Sequence, residues 1–151
     1  VDQDPAWIQG VAEFLALDRL QFHGREPLAV LRQFPRARVV RALRPRPGAV
    51  PPRRDPCTAA AALLVDAWSS VAAGGTGRLA DWAFARAVKR FGKSLILSGG
   101  LRPDNVADAV RRVRPDMVDA ASGVESRPGV KDHTALRRFL RAVRETGGTP
   151  V

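Results

Sequence analysis

Residues 94–123 read SLILSGGLRPDNVADAVRRVRPDMVDAASG, and this stretch decides the fold. Ser94-Leu95-Ile96-Leu97 is an apolar run of strand length that stops at Ser98-Gly99-Gly100. Val106, Val110 and Val113 then recur at helical spacing. Asp116-Met117-Val118-Asp119 is a second strand and ends in Ala120-Ala121-Ser122-Gly123. Strand, helix and strand in succession form a βαβ unit, whose crossover sets the strands parallel.

The same alternation runs outward from that unit. Toward the N-terminus, Ala61-Ala62-Leu63-Leu64-Val65 is a buried-type strand ending at Asp66. Asp81 can cap a helix whose inward face is Phe84, Val88 and Phe91. Residues 67–80 between them form a loop containing Gly74-Gly75-Thr76-Gly77. Arg38–Leu43 is a further strand, and Arg19–Phe22 a short one ending at His23-Gly24. A helix from about Glu26 would turn Leu28, Leu31 and Phe34 inward. Asp4-Pro5 starts a helix with Ile8, Val11 and Leu15 on one face. Residues 44–56 carry too much proline for helix or central strand, so the next crossover helix must be short, around residues 56–60. Beyond the last strand, a helix from about Asp132 buries Leu136, Phe139, Leu140 and Val143, and the tail from Gly147 frays. Five parallel strands with helices make an α/β fold in one domain.

Composition narrows the class. A hydrophobic content of 45% in 151 residues fits a globular domain, and no apolar run approaches the ~20 residues that cross a bilayer. Val1-Asp2-Gln3-Asp4-Pro5 is neither basic nor apolar, so no secretory signal is expected. Cys57 is the single cysteine, which excludes an internal disulfide and makes a cytoplasmic setting the default. A first residue of valine is a sign of a cut or processed chain. The net charge of +10 comes from 25 basic and 15 acidic residues. Its arginines are spread over many segments without a nucleic-acid-binding motif, so a solvated basic surface is expected, with no specific nucleic acid partner.

The polar motifs share one location. His23-Gly24, Asp66, Ser98-Gly99-Gly100, Asp119 and Ser122-Gly123 each follow a predicted strand. In a (β/α)8 barrel the C-terminal ends of the strands form the active face, and the loops after the last two strands often bind phosphate. Gly99, Gly100, Ser122 and Gly123 fit that role, because glycine lets backbone amides approach an anion; plain turns are the other reading. Asp66 is a general-acid candidate when held out of water, or else a capping aspartate. His23 either touches a substrate or packs under the rim. Asp119 either accepts a hydrogen bond from a substrate or bonds a loop amide.

Five strings together resemble the phosphoribosylanthranilate isomerases. They are Leu20–Gly24, Leu63–Ala67, Gly74–Arg78 with Asp81-Trp82, Leu97–Leu101 with Pro103 and Asn105, and Val118–Glu125 with Pro128–Asp132. The resemblance covers nearly the whole chain. It implies a TIM (β/α)8 barrel, incomplete in this chain: residues 1–151 would form a partial barrel domain running from the end of strand 3 to helix 8. The implied activity is an Amadori rearrangement of N-(5-phosphoribosyl)anthranilate to 1-(2-carboxyphenylamino)-1-deoxyribulose 5-phosphate in tryptophan biosynthesis, without metal or cofactor. Asp66 matches the family's general acid. His23 and Asp119 fall at substrate-binding positions, Gly99, Gly100, Ser122 and Gly123 match the phosphate loops, and Gly74–Gly77 matches a flexible loop beside the site.

The departures are equally definite. The family's base is a cysteine in a Lys-x-Cys-Gly string on strand 1, and no such string occurs in the 151 residues. An arginine after strand 2 that helps bind the anthranilate end is also absent, and Arg41 stands where the family usually has lysine. Cys57 precedes a strand and belongs at the opposite, stabilising face. The expectation is therefore an isomerase, monomer or homodimer, that is inactive as these residues alone. The alternative is a partial barrel that binds a phosphorylated ligand without catalysis.

Overall fold

A computed structural model describes residues 1–68 and 79–147. The Gly74–Gly77 loop and the end of the tail lie outside the described residues. Helix α1, Pro5–Phe14, starts as its sequence requires: the Asp4 carboxylate accepts hydrogen bonds from the amides of Ala6 at 2.9 Å and Trp7 at 3.2 Å. A cap of this kind is worth about 1 kcal/mol. Its buried face is narrower than expected. Ala12 alone is buried, Ile8 and Val11 are half-buried, and Leu15 is exposed. The helix stops at Phe14, and the left-handed turn at Ala16 (φ 48°) takes Leu15 out of the helical period.

Strand β1 is Leu20–Phe22, and α2 is a single turn, Leu28–Leu31. Pro27 and Pro35 bracket that turn, so the helix expected from Glu26 has no room to grow. Leu31 and Phe34 are buried as expected, whereas Leu28 is exposed and Glu26 is buried outside the helix. Strand β2 is Val39–Leu43 and β3 is Ala62–Val65. The short helix expected at residues 56–60 is only a turn, closed by the Ala60 amide on the Cys57 carbonyl at 3.1 Å. Five residues are too few to repay helix nucleation, and the carbonyls of Cys57 and Ala60 serve Lys93 instead.

Helix α3, Trp82–Val88, is capped by Asp81, whose carboxylate accepts from the Phe84 amide at 2.9 Å. Strand β4 is Ser94–Leu97, α4 is Val106–Val113 and β5 is Met117–Val118. Strand β5 is shorter than expected, yet its flanks still pair: the amides of Asp116 and Asp119 reach the carbonyls of Leu95 and Leu97, both at 2.9 Å. A 3-10 turn over Ser122–Val124 leads into an antiparallel hairpin that sequence periodicity did not indicate, β6 (Glu125–Arg127) and β7 (Val130–Lys131). Helix α5, His133–Arg144, is capped by Asp132. It buries Phe139 and Val143, but Leu136 and Leu140 are 36% and 38% exposed. Those two leucines sit one turn apart beside the buried stripe.

Strands β1 to β5 form one parallel sheet in sequence order. Helices α3, α4 and α5 pack against one another in succession. A sheet that never reverses its order is wound in one direction, as in barrels, rather than doubly wound. The described strands form an open arc with β1 and β5 at its edges. Side-chain alternation splits the sheet into two faces. Leu20, Phe22, Val39, Leu63, Val65, Leu95 and Leu97 pack with the helices in the main core. Val40, Ala42, Ala62, Leu64 and Ile96 form a separate apolar cluster on the other face. Continuing that second face past the strand ends reaches His23, Asp66, Ser98 and Asp119.

Candidate active site

The site gathers at the C-terminal rim of the sheet, where each strand releases a polar residue. Asp66 leaves β3 in register, its amide bonded to the Leu43 carbonyl at 3.0 Å, and is only 5% exposed. One carboxylate oxygen accepts from the Ala67 amide at 2.8 Å. The other lies 3.2 Å from His23 Nε2, brought alongside from β1. Gln21 sits two residues back on the same face of β1, and its side-chain nitrogen is 3.0 Å from His23 Nδ1. With that amide donating, the ring proton is placed on Nε2, toward Asp66. The Nε2 to carboxylate approach is close but misaligned, so Nε2 is a buried donor without an aligned acceptor among the described residues.

Strands β4 and β5 supply the second half. The Ser98 hydroxyl donates to Asp119 Oδ2 at 2.9 Å, and Asp119 is exposed at the rim. The partner of Asp119 is thus a hydroxyl rather than the loop amide considered from sequence. Gly99 has a positive φ of 84°, and a Cβ there would stand 2.4 Å from the Ala67 amide nitrogen and 2.9 Å from the Asp66 carboxylate. Gly123 packs equally close: its missing Cβ would fall 1.8 Å from the Leu101 carbonyl oxygen. Gly123 thus puts the loops after β4 and β5 in backbone contact, and Gly99 puts the β4 loop against the end of β3; each contact requires glycine. Asn105 braces the first loop, donating to the Gly100 carbonyl at 3.0 Å and accepting from the Arg102 amide at 2.8 Å. Among the described residues, no atom accepts from the amides of Gly99, Gly100, Ser122 or Gly123. Free amides on two touching loops suit an anion.

Two features of the rim escaped the sequence. Glu26 is buried and collects hydrogen bonds from the Asp2 amide at 3.0 Å, the Gly24 amide and Arg41 Nη1 at 2.8 Å. Burial alone would raise its pKa, but the amides of Asp2, Glu26 and Gly24 and the Arg41 charge outweigh it and hold Glu26 below the usual carboxylate value. Arg41 also donates to the Gly24 carbonyl at 3.2 Å, so it fastens the β1 loop that presents His23. The available signal was Arg41 itself, a charge inside an apolar strand, which demands a buried partner. The second is Lys131, whose ammonium donates to the Ala121 carbonyl at 3.0 Å and to Glu125 at 2.8 Å, tying the hairpin to the β5 loop. Cys57 is buried at the N-terminal end of β3, across the sheet from this rim. Among the described residues no group of side chains could hold a metal ion, and no helix is long and apolar enough to cross a membrane.

Residues 1–142 match the family model for N-(5'-phosphoribosyl)anthranilate (PRA) isomerase. The chain is 44% identical to the N-(5'-phosphoribosyl)anthranilate isomerase of Geobacter sulfurreducens over 93% of its own length and 68% of that protein. It is 41% identical to that of Cellvibrio japonicus over 93% of its length and 64% of that protein. The chain thus spans about two thirds of the length of these relatives. In structure it is similar to the phosphoribosyl anthranilate isomerase of Thermotoga maritima, with a TM-score of 0.76 at 30% identity over 96% of this chain and 70% of that one. A phosphoribosyl anthranilate isomerase solved with reduced 1-(o-carboxyphenylamino)-1-deoxyribulose 5-phosphate gives a TM-score of 0.72 at 29% identity, over 95% of this chain and 68% of that one.

Proposed function

Since the chain belongs to the N-(5'-phosphoribosyl)anthranilate isomerase family, we propose that it carries the acid and phosphate half of an isomerase site for N-(5'-phosphoribosyl)anthranilate. The observation that carries this reading is the convergence of Asp66, Asp119 and two touching glycine loops from three adjacent strands.

In this reading the 5'-phosphate sits on the amides of Gly99, Gly100, Ser122 and Gly123. Asp66 gives its proton to the ribose ring oxygen, the C1–O bond breaks, and the amine nitrogen's lone pair closes a Schiff base. A base then removes the proton from C2, giving an enolamine that tautomerises to the ketone. Asp119 accepts from the substrate amine or hydroxyl, and the idle Nε2–H of His23 supplies a donor at the reacting end. The thiolate base of the family has no counterpart in the 151 residues, because Cys57 lies at the far end of the sheet. The reaction calls on no metal or cofactor. We further propose a partial barrel domain over residues 1–151, a cytoplasmic setting, and a monomer or homodimer without specific nucleic acid or membrane partners.

The test compares the chain alone with the chain joined to the segment of the Geobacter sulfurreducens relative that precedes the matched region, where the family resemblance puts the Lys-x-Cys-Gly strand. Anthranilate fluorescence reports turnover, and calorimetry with the reduced deoxyribulose phosphate reports binding. Binding by the chain alone and turnover only by the joined protein are expected. A folded joined protein that binds but never turns over sinks the isomerase reading and favours a non-catalytic binding module.

A further inference from the structure

The outer helices carry a second polar feature, unrelated to the rim. Helices α3 and α4 leave an open groove of about 760 Å³ between them. Five of its eight lining residues are cationic, namely Arg86, Lys89, Arg111, Arg112 and Arg114, and none is acidic. These residues lie toward the C-terminal ends of the two helices, just ahead of β4 and β5, so the groove is at the opposite end of the sheet from Asp66.

Part of this charge has an internal explanation. Cations near helix C-termini complement the helix dipole. Lys89 donates to the Arg114 carbonyl, and Arg112 pairs with Asp108 at 2.9 Å. The remainder has none. Arg86, Arg111 and Arg114 are exposed and have no ion-pair partner among the described residues. Trp82 forms one wall, with the Arg112 guanidinium 5.9 Å from its ring centre. Its indole Nε1 is buried and finds no acceptor among the described residues. Like charges thus crowd along one groove beside the Trp82 ring, three of them without an ion-pair partner among the described residues, an arrangement that an anion relieves.

We propose that this groove binds a compact polyphosphate chain, with the arginine forks taking the phosphate oxygens beside the Trp82 ring. Guanidinium planes match phosphate oxygens two at a time, which favours phosphate over a halide or a single carboxylate. The chain is either free or the tail of a nucleotide, and the two are told apart by titrating with tripolyphosphate and with ATP. The inference does not rest on the isomerase reading.

The test follows the Trp82 indole N–H signal in a proton–nitrogen correlation spectrum of the 151-residue chain, assigned with Trp82→Phe. Calorimetry in low and high salt gives the affinity. Tripolyphosphate is expected to move the Trp82 signal saturably. Arg86→Glu with Arg111→Glu weakens binding at least tenfold, and Arg86→Gln with Arg111→Gln weakens it to a smaller degree. Arg53→Glu with Arg54→Glu, which changes net charge equally in an exposed loop, leaves binding within twofold. ATP binding as tightly as tripolyphosphate assigns the groove to the phosphate tail, and weaker ATP binding assigns it to the free chain. Equal losses in both charge-reversal pairs, or a shift confined to the Gly99–Gly123 loops with Trp82 unmoved, overturns the proposal.

Discussion

Lys93 at one end of the sheet and His23 at the other are polar groups treated in opposite ways. At the N-terminal end, Lys93 is 8% exposed, and its ammonium is used up by Asp55 at 2.9 Å, the Ala60 carbonyl at 2.6 Å and the Cys57 carbonyl. At the C-terminal end, His23 approaches Asp66 without an aligned bond, and the glycine-loop amides have no acceptor among the described residues. A saturated cluster holds a structure together, whereas an unsaturated one holds places for a ligand. The contrast matches the division of labour in barrels, with stability at the bottom of the strands and chemistry at the top.

That contrast can be broken by substitutions at either end. The largest effect is expected from Asp66→Asn in the joined protein. Turnover should fall by about 10²–10⁴ for loss of a general acid, while the urea midpoint stays nearly unchanged. A variant that keeps its rate removes Asp66 from the chemistry. Lys93→Met should do the reverse, costing about 3 kcal/mol of stability in urea unfolding while leaving the affinity for the reduced deoxyribulose phosphate intact in the folded fraction. The lower end of the range for a broken buried pair applies because the Asp55 side chain is 25% exposed. Gly99→Ala tests both properties at once. Its methyl group meets the Ala67 amide, so a loss of about 2 kcal/mol should accompany a clear drop in phosphate affinity.

The smallest effect is a pH dependence. Burial pushes the Asp55 pKa up, but the Lys93 charge and hydrogen bond, the Cys57 amide and Arg36 hold it below its ordinary 3.8. A depressed carboxylate contributes stability that is present above its unfolded pKa and is lost as pH falls through the folded one. The chain should therefore lose stability as pH drops below about 4, and Asp55→Asn should flatten part of that loss. Glu26 and Glu125, depressed from 4.5, and Asp132, depressed from 3.8, contribute to the rest. An acid transition unchanged by Asp55→Asn would mean that the Lys93 cluster is held by its carbonyls alone.

The sequence made the strands legible where burial on both faces left no choice. Leu63-Leu64-Val65 and Leu95-Ile96-Leu97 admit only a central parallel strand, and each is found there. The polar residues that end those strands were legible for the same reason, since parallel pairing carries every strand end to one rim. What stayed hidden depends on partners distant in sequence. Nothing local to Lys93 in the sequence shows that Asp55 and two carbonyls fold over it. Glu26 reads as a helix start until Arg41 claims it. Leu136 and Leu140 carry the same helical period as Phe139 and Val143, and periodicity cannot say how wide a face its neighbours cover. The hairpin at residues 125–131 has too few residues for any pattern to emerge.

The absent side chain of Gly99 has one more consequence. The backbone of the β4 loop occupies the space beside the Asp66 carboxylate, so the place of that carboxylate and the place of the loop amides are a single variable. Evolution cannot tune them one at a time. A lineage drifting toward a ligand with a longer or differently placed anionic group would have to shift that carboxylate in the same step. That makes this corner of the molecule a poor starting point for new specificity, and new substrates would enter more readily through the strand ends farther along the arc.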